Sequence, residues 1–328
     1  MNKIIKILEE FTTFPSPSGY EKFLSQKIKR KIEKHLDEVK IDEFGNLIGI
    51  KKGKGKKKVM ISSHIDEIFM YVKKIEKNFA IVETHGVDKK ILEGQEVILL
   101  KEDGRKIEGI IGNVPPHLKE EVKEKEIFVD FGESAEKLGI NLGDIITFKG
   151  EFGILNKTKI FSKSLDARIC LPLIFLLIEK INKKLYHKNL IFLLNVQEET
   201  GGMGAMVKAF NIYPDECIVL DATFGKSFYD KEEIEIGKGP AIGVGPFIDK
   251  RISERMVKIC KKYKIPYQIE VLPQRTGTDL DKISLLKEGI PCGLLSIPIR
   301  YMHTPVEVGD INDIKWGVKL LEKYLEEK

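Results

Sequence analysis

Cysteine is scarce in this chain, tryptophan nearly absent, and no hydrophobic run is long. The four cysteines among 328 residues, Cys170, Cys217, Cys260 and Cys292, are widely spaced, form no CxxC pair, and each lies within an apolar stretch. That excludes a disulfide scaffold and reads as buried thiols in a reducing cytoplasm. The longest apolar run, ICLPLIFLLI at 169–178, is interrupted by Pro172. It falls well short of the roughly 20 residues needed to cross a bilayer, so no membrane partner is expected. The opening MNKIIKILEEF reaches Glu9 and Glu10 before any apolar core of signal-peptide length, so secretion is not expected either. Neither sign of charge dominates: 55 basic against 50 acidic residues leave +5, too small a surplus to argue for a nucleic-acid partner.

What is present is an ordinary globular composition, 42% hydrophobic and 32% charged, long enough for about two domains. Apolar residues at helical spacing (Ile4, Ile5, Ile7, Leu8, Phe11; then Phe23, Leu24, Ile28, Ile32, Leu36) predict two amphipathic helices. Between them FPSPSGYE is a turn, with Ser18 placed to cap the second helix and Glu21 three residues on. The stretch EVKIDEFGNLIGIKKGKGKKKVMISSHID reads as three strands, with the basic run KKGKGKKK (51–58) as a solvated hairpin tip. Short strand-like pieces (FAIVET, EVILL, IEGIIG, EIFVDFG, DIITFKG) then follow one another to about Phe161. After Ser162 helix and strand alternate: ARICLPLIFLLIEKINKK is a helix with Pro172 tolerable only near its start, and LIFLLNVQEE a strand of the buried parallel type. CIVLDA, AIGVG, YQIEVL and PCGLLSI are further strands, with helices near 250–264, 279–288 and 311–326. The expected fold class is α/β: a sheet covered on both faces, built from residues 1–70 and 162–328, with a β-rich domain (71–161) inserted between the two halves. The glycine-rich GKGPAIGVG (237–245) has the wrong spacing for a dinucleotide fingerprint, and Pro240 interrupts it.

Acids or a histidine stand where several apolar strands run out, the place where open α/β sheets bind ligands. These are His64 with Asp66, the pair Glu198 and Glu199, and Asp221; Asp166 opens a helix and His303 follows PCGLLSI. Taken singly each has a plain reading: Asp166 as a helix cap, the histidines as surface or hydrogen-bonded groups, Asp221 as a turn residue, the Glu pair as a solvated strand end. Taken together, two histidines and several carboxylates suit zinc or a similar divalent metal. Adjacent strand residues point to opposite faces, so Glu198 and Glu199 can share a site only if Gly201 and Gly202 bend the chain. His64 and Asp66, two apart, share a face, which lets the carboxylate orient the imidazole.

The motifs HIDE (64–67), SLDAR (164–168), QEETGGMGA (197–205), IVLDAT (218–223), GTD (277–279) and YMHTPVE (301–307) resemble those of the tetrahedral and glutamyl aminopeptidases, metallopeptidase family 42. With SPSGYE and the inserted β domain the likeness spans essentially the whole chain. It implies a mixed-sheet α/β/α catalytic domain of the zinc-peptidase kind and a β-rich insertion used in oligomerisation. It implies two divalent ions, zinc or cobalt: His64 and Asp221 on one, Glu199 and His303 on the other, and Asp166 bridging. Glu198 would be the catalytic base and Asp66 the support of His64. A free substrate amine on a metal would favour removal of N-terminal residues from oligopeptides. The likeness further implies a cytoplasmic homo-oligomer, from a dimer up to a tetrahedral dodecamer. The sequence departs from the family pattern at Ala167, at Phe69 and in GGMGA, which bear on pocket shape. The competing readings are a metal-dependent deacylase or glucanase on the same site, or a metal-binding scaffold. His35, His85, His117 and His187 read as structural or surface residues.

Overall fold

The computed structural model describes residues 1–115, 117, 126–182, 184, 186–229 and 233–327. Helices α1 (Asn2–Thr12) and α2 (Lys22–Ile32) open the chain, followed by strands β1 (Glu38–Ile41), β2 (Leu47–Lys51) and β3 (Lys58–His64). Next come β4 (Phe69–Glu76), β5 (Phe79–His85), β6 (Glu96–Leu100), β7 (Lys106–Ile111), β8 (Phe128–Asp130), the short helix α3 (Ala135–Leu138) and β9 (Ile145–Phe148). Strands β10 (Gly153–Leu155) and β11 (Lys159–Ser162) lead into α4 (Leu165–Arg168), α5 (Leu171–Ile181), β12 (Asn189–Asn195), α6 (Met203–Ile212) and β13 (Glu216–Phe224). The chain ends with β14 (Ala241–Val244), α7 (Lys250–Tyr263), β15 (Gln268–Val271), α8 (Leu280–Ile283), β16 (Cys292–Ile299), β17 (Glu307–Asp310) and α9 (Ile311–Glu326).

An eight-stranded sheet runs β1-β2-β12-β3-β13-β16-β14-β15. Its centre is parallel, β12, β3, β13 and β16 side by side, while β2 and β14 join antiparallel. The sheet is therefore mixed, and its central strands are apolar on both faces because both faces are covered. Val59, Ile61, Ile218 and Leu220 pack with α1, α2, α5, α7 and α9, whereas Met60, Cys217 and Val219 pack with α6 and α8. This period-two division makes three layers, α/β/α. All four cysteines are buried and unpaired. Among the described residues no helix is long and apolar enough to cross a membrane.

Strands β4, β5, β8, β7, β6 and β9 close into a barrel filled by Met70, Val72, Val82, Val97, Leu99, Ile111, Val129, Ile146 and Phe148. Strands β10 and β11, grouped by the sequence reading with the β-rich stretch 71–161, form a separate sheet in the order β10-β11-β17 and do not join the barrel.

Several local expectations need correction. The run KKGKGKKK is no hairpin tip, because β12 lies between β2 and β3; it is a crossover. A Cβ on Gly53 or Gly55 would stand about 2 Å from the carbonyl oxygens of Lys188 and His187, so the crossover needs glycine there. Ser18 does not cap α2, whose first turn begins after Glu21. The helix expected from Ala167 breaks after Arg168 and restarts at Leu171, which puts Pro172 in its first turn, where no backbone donor is lost. The helix expected over 279–288 is one turn, Leu280–Ile283.

Candidate active site

His64 is the last residue of β3 and is buried. Its Nε2 stands 3.2 Å from Asp166 Oδ1 and 3.5 Å from Asp221 Oδ1, and Nδ1 faces Asp66 Oδ1 at 3.4 Å. Asp221 lies within β13, three residues before its end, not in a turn. Asp66 is wholly buried and does more than face the imidazole: Oδ1 accepts from the Glu198 N–H at 3.0 Å, and Oδ2 from the Glu199 N–H at 3.1 Å and Ser18 Oγ at 2.5 Å.

The Glu pair reaches the site by a bend earlier than the sequence reading placed it. β12 ends at Asn195, and Gln197 takes φ 59° before the pair, while Gly201 and Gly202 turn the chain into α6 after it. The Gln197 N–H donates to Glu21 Oε1 at 3.0 Å. Ser18 and Glu21, the residues of the expected helix cap, thus both serve this loop.

Asp166 caps no helix; its two oxygens face two ways. Oδ1 addresses His64, and Oδ2 stands 3.4 Å from His303 Nε2, which is also 3.4 Å from Glu199 Oε2. Glu307, not singled out from sequence, ties these two elements together: it accepts from the Asp166 N–H at 3.1 Å and the His303 N–H at 2.8 Å. Asp279, in the GTD motif, is buried and accepts from Asn195 Nδ2. His85, at the end of β5, is exposed, and its Nε2 is 2.8 Å from the Glu199 carbonyl oxygen.

Two candidate ligand groups result, His64–Asp166–Asp221 and Asp166–Glu199–His303, each with donor atoms within 4.8 Å of one another. Glu198 belongs to neither. The donors are imidazole nitrogen and carboxylate oxygen, a set that suits zinc and its neighbours and lacks the thiolates common in closed structural sites. Charge points the same way, for carboxyls outnumber imidazoles. Burial, reinforced by Asp279, Asp221 and Glu199, pushes Glu198 up to about 11. Burial first and Asp166 second push Glu199 to about 8, and burial with Asp166 does the same for Glu307. Burial would lower His64 and His303, but their carboxylate partners prevail, holding His64 well above its usual range and His303 at about 9. Burial acts to raise Asp166, yet the two imidazoles hold it below the ordinary carboxylate range. Acids this crowded call for cations.

The site opens into a cavity of about 660 Å³ lined by Glu198, Glu199, Asp221, Thr223, Glu270, Leu272, Arg275, Leu294 and His303, among others. A cavity beside clustered, perturbed titratable groups is where chemistry is expected.

Residues 45–320 match the family model for the M42 glutamyl aminopeptidases. The lysyl aminopeptidase of Pyrococcus furiosus is 37% identical over 98% of this chain and 96% of its own length. An aminopeptidase from the archaeon Desulfurococcus kamchatkensis superposes with a TM-score of 0.93 at 34% identity, covering 100% of this chain and 95% of that one. The TET1 peptidase of Pyrococcus horikoshii, described as assembling into a tetrahedron or a large octahedral shell, gives 0.87 at 29% identity over 99% of this chain and 100% of that one.

Proposed function

The chain belongs to the M42 glutamyl aminopeptidase family, and from that premise we propose a two-metal aminopeptidase that removes N-terminal residues from oligopeptides. His64, Asp166 and Asp221 would hold one divalent ion and Asp166, Glu199 and His303 the other, zinc or cobalt by the chemistry of the donors. Two such ions supply Lewis acidity toward the scissile carbonyl and toward water. The observation that carries the reading is Asp166, whose separate oxygens face the two groups.

Glu198 is the general base of this reading. It lines the same cavity as Asp166, Asp221, Glu199 and His303 without joining either group, and in this reading takes the proton of the attacking water and passes it to the leaving amine. Its neighbours are the acids that would face the cations, so loading the site brings its carboxyl down from about 11 toward the range in which a base works. Asp66 holds the backbone of Glu198 and Glu199 in place and faces His64. The glucanase reading gains no support, because the acids converge on shared points within 4.8 Å instead of standing apart across a groove.

The test is Glu198→Gln. Peptide turnover should fall by about 10²–10⁴-fold, with the bound metal, quantified by elemental analysis, unchanged. Turnover within a few fold of the parent protein rejects the base assignment. We also assign a homo-oligomer, up to a tetrahedral dodecamer, after the tetrahedron described for the P. horikoshii relative and the dodecamer described for the similar PhTET1 structure. Light scattering on the purified protein tests this, and a monomer rejects it. The buried free thiols support a cytoplasmic location.

A further inference from the structure

One buried carboxylate beside the site belongs to neither candidate ligand group. Asp279 ends the GTD motif just before α8, yet its side chain caps no amide of that helix. Its two oxygens reach instead to the two ends of the loop that carries Glu198 and Glu199. Oδ2 accepts from Asn195 Nδ2 at 2.5 Å, at the last residue of β12. Oδ1 lies against Gly202, the residue before α6, where a Cβ would stand 3.0 Å from it and 3.0 Å from Lys282 Cγ. The carboxylate closes on that end of the loop because residue 202 has no side chain. Asn195 carries the hold onward. Its Oδ1 accepts from Ser62 Oγ at 2.9 Å and its carbonyl oxygen from the Ile65 N–H at 3.0 Å, which fastens the end of β12 to β3 on either side of His64. Asp279 itself rests on a fixed element. Leu280 and Ile283 of α8 pack with Ala205 and Ala209 of α6, and Asp281 ties down the preceding turn by accepting from the Thr276 N–H and Oγ1 and from the Gly277 N–H.

We infer that Asp279 is a positioning residue for Glu198: it spans the two ends of the loop 195–202 and so fixes where the Glu198 carboxylate stands relative to the candidate metal groups. The inference rests on the aminopeptidase reading and deepens it. Asp66 binds the N–H of Glu198 and of Glu199, which sets the middle of the loop. A loop held only at its middle can pivot about that point, and a second hold at its ends removes the freedom. The need is steep, because a displacement of about 1 Å at a reacting group costs on the order of 10²-fold in rate. Geometry of this kind is supplied by residues whose own places are locked by packing and hydrogen bonds, as those of Asn195 and Asp279 are.

The experiment measures kcat and KM of the metal-loaded protein on a panel of aminoacyl 4-nitroanilides, with bound metal quantified by elemental analysis. Asp279→Ala should lower kcat about 10–100-fold while KM stays within about threefold and the metal content is unchanged. Asp279→Asn keeps an acceptor for Asn195 and the bulk against Gly202, and should restore kcat to within about threefold of the parent protein. Asn195→Ala removes the donor and should lower kcat to a similar degree. The double variant should be no more than about threefold worse than the poorer single one, because both act through one contact. Hydrogen exchange supplies a readout that needs no turnover: amides 196–202 should exchange at least tenfold faster in Asp279→Ala, with α9 and the barrel as in the parent protein. An unchanged kcat, a loss that Asp279→Asn does not rescue, a loss matched by lost metal, or unchanged exchange in the loop overturns the assignment. If Asp279→Ala does not fold, Asn195→Ala is judged by the same kcat and exchange criteria. If the parent protein cleaves none of the panel the aminopeptidase reading fails alone, and faster exchange confined to the loop still supports the hold by Asp279.

Discussion

Asp66→Asn separates two duties that a single buried carboxylate performs. In the native protein Oδ1 accepts from the Glu198 N–H, Oδ2 accepts from the Glu199 N–H and Ser18 Oγ, and Oδ1 faces His64 Nδ1. Asparagine has the same shape but one acceptor oxygen. Whichever way the amide turns, its NH2 meets a backbone N–H of the Glu pair. One buried, charge-assisted hydrogen bond is lost, at about 1.5–3 kcal/mol, and two donors oppose one another. With the proposed base and a proposed ligand both hung from those amides, about 3–4 kcal/mol of misplacement corresponds to a 10²–10³-fold loss in kcat/KM. If Asp66 acted only through His64, the loss would be one of metal affinity, about 10–100-fold, and excess metal would repair it. Turnover is therefore assayed with zinc or cobalt titrated to saturation. Recovery to within about threefold of the parent protein refutes the role in holding Glu198 and Glu199. Ser18→Ala removes one charge-assisted donor to the same carboxylate and leaves both backbone amides held, and should cost about 1.5 kcal/mol, near tenfold.

Glu67→Gln should lower the melting temperature by several degrees. Glu67 is buried against Lys163, Ser164 and Arg168, and its loss strands two buried cations at about 3–5 kcal/mol; calorimetry showing no change refutes this. The metal-free protein should lose stability as pH rises. Glu21 and Asp279 are pushed by burial to about 7, and Glu199 and Glu307 to about 8, so their contributions are complete below about pH 4.5 and lost as pH passes 7–8. His64 and His303 act in the same sense, while Asp66, Asp166 and Glu67, held low, have given their full contribution above about pH 4–5. The melting temperature should therefore fall between pH 5 and 8.5, and a flat or rising profile refutes the crowding of acids. Adding zinc or cobalt at about 1,000 times its dissociation constant should restore about 4 kcal/mol at pH 7.5, read as a melting shift that EDTA reverses. Glu307→Gln turns an amide donor toward the N–H of Asp166 or His303, and should weaken metal binding at the proposed group Asp166–Glu199–His303 about 10–100-fold in chelator competition while leaving protein folded.

The strand ends were legible because their signal is local. An apolar run that stops at His64 or Asn195 marks a buried strand whatever surrounds it, and the acids after it fall at the sheet's edge by topology. The supports were not legible, because the residue types that cap helices are the same ones that bind distant backbone. Ser18 and Glu21 fit a capping box by spacing, yet one donates to Asp66 and the other accepts from Gln197, 176 positions away. Glu67, Lys163 and Arg168 carry charges that composition assigns to the surface; only the packing of β3 against α4 shows that they are buried. The bend at Gln197 was misplaced for a related reason. Glycine advertises a positive φ, whereas glutamine adopts one only because Glu21 and the Asp66 carboxylate hold the peptides on either side.

The barrel is not a remote appendage to this chemistry. His85, the final residue of β5, meets the Glu199 carbonyl oxygen, and its ring stacks on Phe69, the first residue of β4, with centroids 5.0 Å apart. Gly86 follows with φ 75°, and a Cβ there would stand 2.7 Å from Ile68 and 3.8 Å from Glu199 Oε2. The Glu199 loop is thus gripped from two sides, by Asp66 of the loop after β3 through its N–H and by the barrel through its carbonyl. A loop with both peptide faces fixed holds the carboxylate of its proposed metal ligand in one place, which is what a preorganised site requires. A displacement of the barrel would therefore act on Glu199 through the His85 contact.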